Sequence, residues 1–115
     1  MGVLFKRKMN KIVAKRMLIA QSPNGEVFTT AVEFSMPYET EKLGWFCNLR
    51  MEAIQEPQYA AGTDSLQALM LTFSLAEATL LGCSKKGWQF FWPDTNEPME
   101  IEEMFSLESF VSTKK

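Results

Sequence analysis

The sequence predicts an α+β fold: an antiparallel sheet of four or five strands, one long helix packed on one face, and a short C-terminal helix or tail. Three observations predict it. Trp45, Cys47, Leu49, Met51 and Ala53 alternate with Phe46, Asn48, Arg50, Glu52 and Ile54, a period of two that marks a strand with one face turned to a core. Two apolar runs flank Ser22-Pro23-Asn24-Gly25, a turn signal in which Pro presets φ and Asn and Gly accept positive φ. After Asp64 a long apolar run repeats at helical rather than strand spacing. Strands, then a helix, then a last strand belong to the α+β class.

The elements follow in order. Lys11 to Gln21 is rich in β-branched and long apolar residues and predicts a first strand; Glu26 to Met36 predicts its hairpin partner, with Phe28, Thr30, Val32, Phe34 and Met36 on one face. Pro37 to Gly44 is polar and predicts a loop. In the strand from Trp45 the odd positions face the core and the even ones are mostly solvated. Glu56 and Pro57 are expected to turn the chain, with Gln58 to Ala61 adding a short edge strand. Asp64 and Gln67 fit the first residues of a capping-box-like helix start. The expected stripe is Leu66, Leu69, Met70, Phe73, Ala76 and Leu80, widened by Leu71 and Leu75, and Gly82 is the expected stop. Trp88 to Trp92 predicts a short aromatic strand closed by Pro93, with Phe91 facing away from Trp88, Phe90 and Trp92. Ile101, Met104, Phe105 and Leu107 or Glu108 fall near helical spacing in a tail from Glu97 to Val111. The organisation expected is a loose basic arm over residues 1–10, a single α+β domain over 11–93 and an acidic amphipathic tail over 94–115.

A chain of 115 residues suits one domain and buries roughly two thirds of its unfolded surface without staples. No apolar run reaches the ~20 residues of a membrane span without interruption, and none of the opening residues reads as a secretory leader, since Val3 to Phe5 is followed by bases. The expected compartment is the cytoplasm, where Cys47 and Cys83 stay reduced. Histidine is absent, which removes the usual general base and the commonest metal ligand. Charge is uneven: Lys6, Arg7, Lys8, Lys11, Lys15 and Arg16 precede the first acid, while Asp94, Glu97, Glu100, Glu102, Glu103 and Glu108 are uninterrupted by any base. The plainest reading is that the two ends lie near each other in the fold.

Gly44-Trp45-Phe46-Cys47, followed by Gly62-Thr63-Asp64-Ser65-Leu66-Gln67-Ala68-Leu69-Met70-Leu71, resembles a family of small bacterial domains of unknown function. Members carry a Trp-x-Cys strand, a Gly-x-Asp-x-x-Gln-Ala-Leu helix start and a short strand with a Trp, here Trp88 or Trp92. The resemblance runs from Lys11 to Trp92. It implies a fold and a bacterial-type origin, and no activity.

The chemistry points away from catalysis. Cys47 is expected on the inward face, where burial keeps a thiol protonated; Cys83 is expected just past a helix C-terminus, where the dipole disfavours a thiolate. Asp64, Ser65 and Gln67 are explained by capping. No cofactor and no metal site is expected. The basic arm could neutralise phosphates, yet a pI near 5.2 and the acidic tail weigh against nucleic acid. The expected role is a non-catalytic protein-binding domain, in one version an immunity or antitoxin-like inhibitor, contacting its partner through Trp92, Asp94, Glu100, Glu102, Glu103 and Phe105. The alternatives are a self-associating structural or accessory subunit that pairs an open sheet face or edge strand with its copy, or a small ligand-binding domain.

Overall fold

The computed structural model describes residues 11–104; the expected arm over 1–10 and the tail from Phe105 onward lie outside the described residues. Among these the chain forms six strands and two helices: β1 Ile12–Gln21, β2 Val27–Ser35, β3 Tyr38–Glu39, β4 Trp45–Met51, β5 Gln55–Gly62, α1 Ser65–Lys85, β6 Gln89–Phe91 and α2 Ile101–Met104. Every strand pairing is antiparallel. The order across the sheet is β5-β4-β2-β1-β6, with β3 taking over from β2 along the same edge of β4.

The hairpin forms where the turn residues place it. Ser22 N–H donates to Glu26 O at 2.8 Å, and Gly25, at φ 95°, donates to Ser22 O at 2.9 Å. The pairing Leu18↔Thr30 then puts Leu18, Ala20, Thr30, Val32 and Phe34 on the helix-bearing side. Met36, expected with them, is exposed because the strand has ended at Ser35. The segment expected as a loop after Pro37 contains β3, since Tyr38 and Glu39 find the free edge of β4 at Phe46 and Trp45. Gly44 closes that turn at φ 88°, and a Cβ there would stand 2.7 Å from the carbonyl oxygen of Gly62. Geometry and space both demand glycine.

Cys47, Leu49 and Met51 are buried on the core face as their alternation requires. Three expectations around β4 and β5 fail. Ala53 does not continue the inward set: it is exposed at φ 68° in a tight turn closed by Ile54 N–H to Met51 O at 3.0 Å. The chain therefore reverses at residues 52–54, not at Glu56 and Pro57. Pro57 instead lies inside β5, an eight-residue strand whose outer edge lets a missing N–H go unnoticed. Asn48, expected to be solvated, is fully buried.

Asp64 caps α1, its Oδ1 accepting from Gln67 N–H at 2.8 Å, while Gln67 Oε1 accepts from Thr63 N–H at 2.7 Å. The buried stripe differs from the expected one: Ala68, Thr72, Ala76, Leu80 and Cys83 face inward, whereas Leu66 and Met70 are 63% and 56% exposed. Leu71 is exposed too, so the helix is covered along one side. The small inward residues let the helix sit close to β4 and β5, where Thr72 Oγ1 donates to Ala68 O at 2.7 Å. Gly82 does not end it. The helix runs to Lys85, and Gly87, at φ 109°, supplies the left-handed turn once Lys86 N–H has bonded Cys83 O at 2.9 Å. Cys83 is thus within the last turns and buried rather than beyond the helix. By length and composition α1 would also suit a membrane span; in this fold its small-residue stripe is used as a core helix uses it.

β6 pairs with β1 through Ile19↔Phe91 and Ala20↔Phe90. Phe90 enters the core beside Met99, Ile101 and Met104, so the packed unit extends through α2. Just past β6, the Trp92 ring lies beside the first strand, with the Arg16 guanidinium 5.3 Å from its centre.

Candidate functional site

Of the residues expected to meet a partner, Trp92, Asp94, Glu100 and Glu102 lie along one local reversal. After β6 the chain turns at Pro93 to Asn96 and comes back along the strand it has just left. Asn96 N–H donates to Trp92 O at 2.8 Å, Asn96 itself being left-handed at φ 64°, and Trp92 N–H donates to Glu97 O at 2.9 Å. Phe91 then bridges Pro98, and Met99 N–H reaches Phe90 O at 2.8 Å. Met99 and Ile101 anchor the returning segment in the core. Asn and Pro suit this path: Asn tolerates the left-handed region, and Pro asks for no hydrogen bond on the outer side.

The reversal makes a groove of about 390 Å³ between the end of α1, β6 and the returning chain. Leu81, Trp88, Phe91 and Pro98 contribute the apolar part of its wall, and Ser84, Gln89 and the exposed Glu100 and Glu102 line it as well. Asp94 and Glu97 are exposed on the same segment. Of the expected contact residues the fold thus assembles Glu100 and Glu102 at the groove, with Asp94 on the turn leading to it. Trp92 is half-buried and its ring is already engaged by Arg16. Glu103 lies within α2, and Phe105 lies outside the described residues. Leu81, Trp88, Phe91 and Pro98 were not among the expected contacts. An aromatic run followed by a proline in an acidic stretch is the signal that points to them.

The cysteines are placed differently. Cys47 Sγ donates to Ser35 O at 3.3 Å, and burial pushes its thiol above the ordinary value, with hydrogen bonds from Thr72 and Ser35 opposing. Burial raises the Cys83 thiol as well, against the pull of Lys86. Both therefore remain protonated at neutral pH. No group of three His, Cys, Asp or Glu able to hold a metal occurs among the described residues.

On the sheet face away from α1, Glu33 and Arg50 form an ion pair at 2.6 Å. Beside it Phe46 and Tyr59 stack with ring centres 4.6 Å apart, and Tyr38 Oη donates to Asn48 Oδ1 at 3.2 Å. The Asn48 amide nitrogen is buried without a hydrogen-bond partner, a costly arrangement that the surrounding pairing holds in place.

Gly62 to Ala68 join β5 to α1. Gly62 meets the helix start so closely that a Cβ would lie 2.7 Å from the Ala68 nitrogen; Asp64 and Gln67 cap the helix, and Ala68 is its first buried residue. These residues make a strand-to-helix joint rather than a polar site. No curated protein and no solved structure matches the chain. A family model does, over residues 14–99, reaching from β1 to the core residue Met99. The chain therefore belongs to the DUF6968 family, a domain of unknown function.

Proposed function

We propose that this domain acts by binding one protein partner, without catalysis, as an immunity or antitoxin-like inhibitor does, and that the acidic-lipped groove is its contact surface. One observation supports the reading: the reversal at 93–97 sets exposed carboxylates along a groove of mixed polar and apolar lining that includes Leu81, Trp88, Phe91 and Pro98. Apolar walls give affinity once water is displaced, and a lip of one charge selects and speeds association with a basic partner. The partner that fits is a basic protein segment bearing an apolar side chain. The cytoplasm is the compartment that suits reduced thiols and such a role.

The test is a stoichiometric partner captured with the tagged domain, followed by titration calorimetry on the purified pair. Glu100→Lys with Glu102→Lys should weaken binding by at least roughly tenfold, about 1.4 kcal/mol, and the remaining affinity should respond less to salt. Unchanged affinity in the double variant would remove the groove from the contact.

A further inference from the structure

The second edge of the sheet is built for a different occupant. β5 has β4 as its only strand partner among the described residues, so one side of an eight-residue strand presents unpaired N–H and C=O groups. Proteins usually blunt such an edge with a lysine, a proline or a covering element. Pro57 blunts one end of β5, yet Gln58 to Gly62 beyond it carries no charge.

The flank of α1 above this edge carries no charge between the capping Asp64 and Lys85 in the last turn. The helix lies mainly over β5 and β4, with Thr79 Oγ1 3.2 Å from Gln58 Oε1 of β5. On the other flank Phe73 meets Phe34 of β2 edge-on at 4.7 Å. At 100° per residue, Leu71, Leu75, Ala78 and Gly82 fall on the flank turned away from Phe73, directly above the open edge. Leu71 is 43% exposed, Ala78 is exposed, and a Cβ added at Gly82 would meet nothing within 4 Å. These are small or aliphatic residues at i, i+4, i+7 and i+11, which allow a second helix to approach closely.

We propose that this edge is the seam of a homodimer, in which β5 pairs antiparallel with the same strand of a second copy. An occupant must offer both a strand edge and a helix flank of small or aliphatic residues beside it. A second copy offers both, and a two-fold axis aligns them in one operation. In the register centred on Ala60, Tyr59 lies opposite the partner's Ala61, large against small, and Pro57 stays outside the paired stretch. The result is one continuous sheet across two chains, with the two α1 helices antiparallel above the seam. The inference is independent of the groove, which lies at the other edge.

Sedimentation of the full chain from micromolar to millimolar concentration tests it. The expected mass is that of a dimer of 13.1 kDa chains, with alternate amides of Gln58 to Gly62 exchanging more slowly as the dimer fills. Leu71→Lys with Ala78→Lys places like charges against each other across the axis and should weaken association at least roughly tenfold. Met70→Lys, on the opposite exposed flank, should leave it unchanged. A monomer at every concentration overturns the proposal. So does a dimer that survives the double variant, or one lost on Met70→Lys with no change in β5 amide exchange.

Discussion

The two edges of the sheet are finished in different ways. At the β6 edge the chain doubles back on itself: Phe91 bridges Pro98, Met99 bonds Phe90, and Met99 and Ile101 are drawn into the core. At the β5 edge the chain offers no such cover among the described residues, although β5 is longer than β6 by five residues. A three-residue strand needs little protection, yet it receives it. The return of residues 93–99 thus covers a short edge and shapes the groove beside it, whereas one side of β5 is left without a strand partner among the described residues.

The largest effect is expected at the closed edge. Met99→Ala should cost about 2–5 kcal/mol, the range for truncating a buried methionine, and lower the denaturant midpoint accordingly. It should also raise exchange at Met99 itself, because the bond to Phe90 depends on the same anchor. Should the variant keep wild-type stability, the returning segment is not part of the core. Next comes the joint behind the open edge. Gly62→Ala forces a Cβ to 2.7 Å from the Ala68 nitrogen, where only backbone can yield, and should cost about 1–3 kcal/mol in urea unfolding. Asp64→Ala leaves the Gln67 N–H without its acceptor and should cost about 1 kcal/mol, with Asp64→Asn retaining most of it. Arg16→Ala removes the cation above Trp92 and should cost roughly 0.5–1 kcal/mol, read also as a shift in tryptophan fluorescence.

The smallest effect is a pH dependence. The Cys47 and Cys83 thiols are raised above their ordinary value of 9.0, so the unfolded chain loses these protons first as pH rises. Their contribution to stability is complete below pH 9 and declines above it, through the raised folded values. Cys47→Ala with Cys83→Ala should flatten the alkaline limb of a stability–pH curve; an unaltered limb would assign it to other groups.

Much of the fold was legible because local rules agree with it. The Pro-Asn-Gly turn, the alternation from Trp45 to Met51 and the Asp64 cap each depend on neighbours in sequence, and each appears where those neighbours put it. The phase of α1 was not legible, because leucines at 66, 69, 71, 75, 80 and 81 surround the helix and no single apolar direction stands out. The side that wins carries Ala68, Thr72 and Ala76, chosen by how closely the helix must approach the sheet. Gln55 to Gly62 hid a long strand behind a proline and small residues, since an edge strand is fixed by its partner rather than by its own propensity. Asn48 sits at a position whose parity spelled solvent, and its burial follows from long-range packing against Tyr38 and the strands on either side. The acidic stretch was legible as a charge run, but the groove was not. That feature requires knowing that Pro98 returns to Phe91.

The pairing of β1 with β6 also sets an order on synthesis. Ile19 and Ala20 emerge from the ribosome long before Phe91 and Phe90, the residues that flank them in the finished sheet. The hairpin with β2 can form early, yet the first strand keeps one side open until nearly the whole described domain has been made. Its nascent form therefore carries an unguarded β1, bearing Leu18 and Ala20, through most of translation, and a ribosome stalled before residue 89 would hold a chain prone to stick to its neighbours.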